Sequence, residues 1–163
     1  MIYWFTGQPG AGKTVIANLL KEELEKSRSF FYKVQRVDGD DLRSLTKNTN
    51  YGIEGRVANV ALAQKITHYL HNNDEDVIVS LVSPYIDQRE EFKDLLKDKI
   101  IEIYVHTTDI RGRENYNVEG YQKPLKNFIN LDTTGKTPEE SLITLKNEIQ
   151  FVHREVAALA FRS

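Results

Sequence analysis

A glycine-rich turn near the start of the sequence carries the residue types of a phosphate-binding loop. The segment GQPGAGKT, residues 7–14, fits the pattern G-x-x-x-x-G-K-[ST]. Glycines allow the positive φ angles with which successive backbone N–H groups point at an anion. In such a loop Lys13 reaches the outer phosphates of a nucleotide and the Thr14 hydroxyl binds Mg²⁺. The residues that we predict to contact the phosphates are Gly7, Gly10, Ala11, Gly12, Lys13, Thr14 and Val15.

A run of aspartates forms the second group of residues that could take part in catalysis or bind a metal. The segment VDGDDLR, residues 37–43, lies at the end of a predicted strand. Mg²⁺ prefers carboxylate oxygens, and phosphoryl transfer to a hydroxyl needs a carboxylate that orients it or accepts its proton. A solvated acidic turn is the structural alternative, because Asp-Gly is common in turns. Because the segment lies beside a phosphate loop, we favour a catalytic role over a solvated turn. We predict that Asp40 lies nearest the metal and the acceptor hydroxyl, and that Asp38 and Lys13 are further catalytic residues.

Arginine and serine residues further along the chain indicate a second anion site. Arginine binds phosphate or sulfate oxygens in a bidentate manner, although a single arginine is usually a surface charge with a packed stem. Arg56 and Asn59 lie three residues apart, on one face of a predicted helix start, and Arg43 follows the aspartates. In SLVSPY, Ser83 is a candidate catalytic residue that binds phosphate or metal-bound water, Pro84 stiffens the turn, and both are candidates for substrate binding. An ordinary strand exit fits these two residues equally well.

Alternating strand and helix patterns predict the elements that position these residues. Apolar runs rich in β-branched and aromatic residues predict strands at 2–5, 31–37, 77–82, 100–105 and 128–131. Helical periodicity predicts helices at 13–26 and 57–70, a third capped by Asp87 and Glu90, and a last one that Thr137 caps. This order is typical of a three-layer α/β fold with a central parallel sheet of about five strands. Ligands of such folds bind beyond the carboxyl ends of the strands, which selects the loops 7–14, 38–43, 80–87 and 106–124.

Length and composition limit the class of protein. The 163 residues predict a single domain, residues 1–163, and 40% hydrophobic with 28% charged residues is ordinary for a soluble globular chain. A net charge of −2 gives no broad basic surface for nucleic acid or an anionic membrane, and there is no cysteine. No apolar run approaches a membrane span, and a strand at residue 2 leaves no room for a signal peptide. We therefore expect a cytoplasmic protein without nucleic-acid or membrane partners, and the sequence leaves homodimer formation open.

Several motifs in order resemble the adenylyl-sulfate kinase family, from about residue 2 to the last helix. Besides GQPGAGKT, the similar segments are DGDDLR, YGIEGRVANV, SLVSPY, IIEIYVHT and YQKP followed by INLDT. The resemblance implies a P-loop kinase fold that uses ATP and Mg²⁺ to phosphorylate the 3′-hydroxyl of adenosine 5′-phosphosulfate (APS). It also implies that Tyr51, Arg56 and Asn59 face the sulfate nucleotide. Ser83 stands at the position that is proposed as a phosphoserine in the family.

Departures from the family pattern concern mainly the acceptor side. Asp41 stands where the family has Asn, Gly55 where it has Asp, and Ala61 and Leu62 where it often has two arginines. The segment RGRENYNVEGYQKP, residues 111–124, is shorter than the family's lid and lacks its basic run built on Lys-Gly-Leu-Tyr-Lys-Lys-Ala. We predict that this polar segment is mobile. Its shortness leaves a second acceptor class open, another nucleotide conjugate such as cytidine diphosphoramidate.

Two other classes of protein are less consistent with the sequence. A GTPase-type switch is disfavoured because the D-x-x-G at residues 132–135 follows the last strand and no N-K-x-D motif is present. A nucleotide-binding module without catalysis is disfavoured because Lys13, Thr14, Asp38 and Asp40 are all present. The sequence therefore favours a small-molecule kinase and leaves its acceptor undecided.

Overall fold

Five parallel strands form one sheet in the computed structural model, which describes residues 1–27 and 32–160. The strands are β1 (Ile2–Thr6), β2 (Val34–Asp38), β3 (Asp76–Ser80), β4 (Ile100–His106) and β5 (Phe128–Asp132), in the spatial order β2-β3-β1-β4-β5. All neighbouring pairs are parallel. The helices are α1 (Lys13–Lys26), α2 (Gly39–Thr46), α3 (Ile53–Asn72), α4 (Ile86–Leu96) and α5 (Pro138–Ala160), with short 3₁₀ turns at Lys97–Lys99 and Glu114–Tyr116.

Side chains of the central strand alternate between two apolar cores, one on each face of the sheet. Tyr3 and Phe5 belong to a core shared with residues of α1 and α5, such as Leu20 and Leu145. Ile2 and Trp4 belong to a second core shared with residues of α2, α3 and α4, such as Leu42, Val60 and Phe92. Because successive strand side chains point to opposite faces, a sheet buried on both sides needs apolar residues at every position. The predicted three-layer fold is confirmed.

The prediction of a loop at 38–43 is wrong, because α2 begins directly after β2. Asp38 is the N-cap of this helix, and its carboxylate accepts a hydrogen bond of 2.9 Å from the backbone N–H of Asp40. A short carboxylate at the N-cap satisfies one of the backbone donors that a helix start leaves free. The acidic segment is therefore both a helix cap and, by its position at a strand end, a wall of the cleft described below.

Other element ends differ from the predicted ones for reasons that lie in neighbouring elements. Strand β3 ends at Ser80, two residues early, because its partner β2 ends at the opposite residue Asp38. Strand β2 begins at Val34, and residue 31 of the predicted strand lies outside the described residues. Helix α3 begins at Ile53, four residues before the predicted start.

Helix α4 starts without the predicted cap, whereas α5 starts as predicted. Tyr85 is the N-cap of α4 and makes no capping side-chain bond, so the expected role of Asp87 is wrong. The helix receives a distant acceptor instead, the Gln122 side-chain oxygen, 2.8 Å from the backbone N of Ile86. At α5 the Thr137 hydroxyl accepts from the backbone N of Glu140 and the Glu140 carboxylate accepts from that of Thr137, which is a capping box. None of the described helices combines the length and apolarity that crossing a membrane requires.

Candidate active site

A cleft of about 1320 Å³ lies beyond the carboxyl ends of the strands and gathers most of the predicted site residues. The phosphate loop and the start of α1 form one part of its wall, and the start of α2 forms another. Residues from the loop after β3 and from the segment between β4 and β5 complete it. The predicted site residues in this lining are Gly10, Gly12, Lys13, Thr14, Val15, Asp38, Asp40, Arg43, Tyr51, Arg56, Asn59, Ser83 and Pro84.

The phosphate loop has the backbone conformation of an anion nest. Gly7, Gly10 and Gly12 have φ angles of 145°, 83° and 99°, which side-chain-bearing residues rarely adopt. A methyl group at Gly7 would lie 2.1 Å from the carbonyl oxygen of Val105, so the loop also needs glycine for its close approach to β4. Gly12 is the N-cap of α1 and directs the start of that helix at the cleft. Ala11 is buried, and its carbonyl accepts a hydrogen bond from the Thr133 hydroxyl.

Lys13 is held at the floor of the cleft with most of its side chain removed from water. The side chain is 8% exposed, and its ammonium donates to the carbonyl oxygen of Gln8 at 2.8 Å. The pKa of Lys13 is lowered to about 8, mainly by burial and to a lesser extent by the charge of Arg113, while Asp38 and Asp40 oppose the shift. A bound phosphate would supply the anion that this buried ammonium lacks.

Asp38 is a carboxylate fixed by four donors. One oxygen accepts from Ser80 at 2.7 Å, Arg36 at 2.8 Å and Thr14 at 3.2 Å, and the other accepts from the backbone of Asp40. Burial alone would raise the pKa of Asp38, but the hydrogen bonds and the Arg36 charge outweigh it and lower the pKa. Asp38 is therefore ionised and rigid, whereas Asp40 is exposed on the first turn of α2.

The oxygens beside the phosphate loop fit a magnesium ion that also binds a nucleotide. The Thr14 hydroxyl lies 3.2 Å from the Asp38 carboxylate, and Asp40 lies on the same wall of the cleft. Within residues 1–27 and 32–160 no cluster of three or more His, Cys, Asp or Glu side chains is arranged to hold a metal ion. Mg²⁺ in kinases is commonly held by one or two protein oxygens, water and substrate phosphates. Thr14 and one of the two aspartates would hold it here.

The predicted anion-binding side chains meet around the loop between α2 and α3. The Arg43 guanidinium lies over the ring of Tyr51 at 4.4 Å, and that of Arg56 lies 5.9 Å from the same ring. Arg43 also donates to the carbonyl oxygens of Asn48 and Asn50, so it holds this loop as well as lining the cleft. The buried Asn59 amide donates to the carbonyl of Gly39, while its oxygen has no hydrogen-bond partner within residues 1–27 and 32–160.

Ser83 lies in a buried turn directly after β3. It has a φ of 45° and is 1% exposed, and its hydroxyl has no hydrogen-bond partner among the described residues. Its carbonyl oxygen accepts from Arg89 at 2.5 Å, and Arg89 also donates to Glu102 on β4 and to the carbonyl of Gln122. The Ser83-Pro84 turn is thus held from beneath by a buried arginine.

Residues between β4 and β5 also form part of the site; the sequence analysis selected their loop, residues 106–124, but none of its side chains as site residues. Arg113, Asn115, Tyr116 and Asn117 line the cleft. The backbone of Val118 exchanges two hydrogen bonds, of 3.0 and 2.8 Å, with the side chain of Gln8 in the phosphate loop. The repeated arginine of the sequence R-G-R was the available signal, but a polar segment gives no indication of which side chain faces inward.

A phosphate nest between a parallel strand and a helix, with a buried lysine and an ionised carboxylate beside it, defines a P-loop nucleotide kinase fold. The family model for adenylylsulphate kinase matches residues 1–146. The chain belongs to this adenylylsulphate kinase family.

Relatives and solved structures agree with this family assignment. The chain is 30% identical over 154 residues to an adenylyl-sulfate kinase of Thermodesulfovibrio yellowstonii, covering 91% of this chain and 76% of the relative. It is 31% identical over 159 residues to an adenylyl-sulfate kinase of Picosynechococcus, covering 94% and 87%. The Mycobacterium tuberculosis APS kinase in complex with AMPPNP and APS matches with a TM-score of 0.73 at 21% identity, covering 91% and 96% of the two chains. At that identity the structural match supports the fold.

Proposed function

We propose that this chain transfers the γ-phosphoryl group of ATP to the 3′-hydroxyl of APS, giving 3′-phosphoadenosine 5′-phosphosulfate. The observation that carries the proposal is one cleft that is lined both by a phosphate nest and by a second set of anion-binding side chains. The carboxylates of Asp38 and Asp40 lie on the wall of the same cleft. Membership of the adenylylsulphate kinase family supports both the donor and the acceptor.

The donor half of the reaction rests on the phosphate loop. Backbone N–H groups of the loop and the start of α1 bind the phosphates of ATP, and Lys13 neutralises charge on the group in transfer. Bound Mg²⁺ would offset the negative charge of the β- and γ-phosphates. Thr14 and a neighbouring aspartate would hold that ion, which fits their 3.2 Å separation in the case of Asp38.

The acceptor half uses the residues around the α2–α3 loop. Arg43 and Arg56 bind the acceptor's anionic group, Tyr51 lies beside them, and the free oxygen of Asn59 accepts a hydrogen bond from the nucleotide. Asp40 orients the acceptor hydroxyl and takes its proton. The oxygen forms a bond to the γ-phosphorus while the bond to the bridging oxygen breaks, and ADP leaves. Ser83 and Pro84 form the wall beside this acceptor.

A second acceptor class is favoured by one observation on the segment between β4 and β5. The basic charges that it brings near the cleft are Arg111 and Arg113, without the lysine-rich run of the family's lid. An acceptor that does not need those lysines, such as cytidine diphosphoramidate, is the alternative to APS.

A panel of acceptors tests the proposal. The enzyme is incubated with MgATP and either APS, cytidine diphosphoramidate or unmodified nucleotides, and ADP release is measured. The Lys13→Ala variant is purified in parallel, and its ADP release gives the background from contaminating kinases. ADP release with APS supports the proposal, and release only with the cytidine conjugate moves the assignment to the second candidate. No release above the Lys13→Ala background with any acceptor contradicts both.

A further inference from the structure

Arg113 lies over the phosphate loop although it is 100 residues away in sequence. Its Cβ atom would be 2.9 Å from a methyl group placed at Gly10, so the two backbones pass each other closely. Arg113 lines the same cleft as Gly10, Gly12 and Lys13. Arg113 and Lys13 are therefore two neighbouring cations at the donor end of the site.

The two arginines of the R-G-R sequence, Arg111 and Arg113, have different surroundings. Arg111 donates to the carbonyl oxygens of Ala11 at 3.4 Å and Thr133 at 2.8 Å and pairs with Asp109 at 2.9 Å. These contacts fix the segment to the phosphate loop and to the turn after β5. Gly112 follows with a φ of 73°, a left-handed conformation that reverses the local direction of the chain. Arg113 then lines the cleft while Arg111 remains pinned outside it.

Arg113 has no partner for its charge among the residues that the structure describes. No hydrogen bond or ion pair joins its guanidinium to any of them, and its one aromatic neighbour is the ring of Tyr116 at 5.7 Å. The other arginines of the phosphate end, Arg36 and Arg111, are paired with carboxylates. A cation that lines a cleft without a paired carboxylate favours an anion beside it. The phosphate nest of the loop, directly beneath Arg113, marks where such an anion binds.

We propose that Arg113 is a catalytic residue that binds the γ-phosphoryl group of ATP while it is transferred. This rests on the proposed function only in taking ATP as the donor, and it holds for either acceptor. The bond from γ-phosphorus to the bridging oxygen breaks, the acceptor oxygen bonds to phosphorus, and the hydroxyl proton passes to the Asp40 carboxylate. Negative charge is spread over the three equatorial oxygens at that moment, and a planar guanidinium contacts two of them at once.

Three variants test this role. Arg113→Ala removes the cation, Arg113→Lys keeps a point charge without the bidentate geometry, and Lys123→Ala removes an exposed cation of the same segment that does not line the cleft. We expect Arg113→Ala to lower kcat by about a hundred-fold or more, since arginines that stabilise phosphoryl transfer contribute about 10³-fold or more. Arg113→Lys restores part of the rate, and Lys123→Ala behaves as wild type.

Nucleotide affinities separate this role from a structural one and need no acceptor. Calorimetry with the magnesium complexes of AMPPNP and ADP compares a γ-phosphate mimic with a nucleotide that lacks it. In Arg113→Ala we expect AMPPNP affinity to fall about ten-fold and ADP affinity to stay within about two-fold. Equal loss of both affinities would mean that Arg113 only supports the loop, and loss of neither would remove it from the site. If no acceptor in the panel reacts, the proposed function fails, while the difference between AMPPNP and ADP still decides the role of Arg113.

Discussion

Asp38 and Asp40 are separated by one residue, yet their surroundings suit them to different tasks. The Asp38 carboxylate is buried and accepts four hydrogen bonds, so any movement toward a ligand would break existing contacts. Asp40 is exposed at the start of α2 on the wall of the cleft. A carboxylate that must accept a proton needs freedom to reach the hydroxyl. For this reason we assign the proton to Asp40 and positioning of the Thr14 hydroxyl to Asp38.

Replacing Asp40 by asparagine keeps the shape of the side chain and removes its charge. We expect kcat to fall by about 10²-fold or more with nearly unchanged AMPPNP affinity, because general-base assistance acts mainly in the transition state. Asp41→Asn is the matched control, since Asp41 is the exposed next residue and does not line the cleft. Initial rates and calorimetry provide the two measurements. A change confined to the KM of the acceptor would make Asp40 a binding residue instead.

Replacing Arg56 by alanine should weaken binding of the acceptor and leave binding of the ATP donor unchanged. A lost charge-assisted contact typically costs about 1.5–3 kcal/mol, which is roughly ten- to a hundred-fold in affinity. Calorimetry with APS and with AMPPNP measures the acceptor and donor affinities separately. Lys65→Ala removes an exposed charge further along α3 and should change neither affinity. An equal fall in both affinities in Arg56→Ala would exclude it from a dedicated acceptor site.

At the scale of elements, the segment between β4 and β5 is joined to the sheet by its last residues. The hydroxyls of Tyr121 and Thr6 are 2.9 Å apart, and Thr6 donates onward to the carbonyl of Val82, so Tyr121 is the donor. The Tyr121 ring stacks on Tyr104 of β4. Gln122 exchanges bonds with Pro84 and Ile86 at the start of α4. The segment that we predicted to be mobile is therefore attached at the YQKP end, and its cleft-facing part lies between two attached ends.

The pKa of Tyr121 allows a prediction of how the stability of this attachment depends on pH. Burial raises the pKa of Tyr121 to about 12, compared with about 10 in the unfolded chain. Because the folded pKa is the higher one, this stabilisation is complete below pH 10 and is lost as pH rises toward 12. Urea unfolding should find Tyr121→Phe less stable than wild type by about 1 kcal/mol at pH 8. The difference should shrink above pH 10.

The exposed Tyr116 supplies the control for that measurement. Tyr116→Phe changes a tyrosine of the same segment that is 67% exposed, and its stability should follow wild type at both pH values. A constant difference between Tyr121→Phe and wild type across pH 8 to 11 would contradict a buried, neutral Tyr121 hydroxyl.

At the scale of the whole molecule, one buried charge cluster connects the sheet, α4 and both sides of the cleft. Glu102, which is 1% exposed, pairs with Arg89 at 2.7 Å and Lys93 at 2.6 Å. Arg89 reaches the carbonyls of Ser83 and Gln122, and Lys93 reaches that of Lys126. Lys93 also pairs with the partly exposed Glu90 at 2.7 Å. Removing the charge of Glu102 therefore leaves buried Arg89 without its carboxylate and Lys93 with Glu90 alone.

Glu102→Gln should therefore destabilise the protein strongly although it is nearly isosteric. We expect a loss of about 3–5 kcal/mol in the free energy of unfolding, measured with urea at pH 7. Asp98→Asn breaks an exposed pair with Lys99 and should cost less than about 1 kcal/mol. An unchanged unfolding midpoint in Glu102→Gln would show that backbone carbonyls and Glu90 suffice to hold Arg89 and Lys93.

The sequence by itself determined those features that depend on neighbouring residues in the chain. The glycines and Lys13-Thr14 of the phosphate loop, the bounds of α1 and the capping box of α5 follow from motifs of three to eight residues. The five strands follow from apolar runs, because a sheet buried on both faces requires them. Residue types and spacing indicated an anion site at Arg43, Arg56 and Asn59, and the family motifs predict that Arg56 and Asn59 face a sulfate nucleotide.

The tertiary structure decided which side chains meet across long stretches of chain. Asp38 obtains Ser80 as a partner 42 residues away, Ile86 obtains its cap from Gln122, and Arg113 is brought over Gly10. Such pairings depend on the order of strands in the sheet and on the path of irregular segments, which have no hydrophobic period to predict them. A polar residue in a loop has the same sequence pattern whether it faces solvent or a cleft, so the inward direction of Arg113 came from the structure alone.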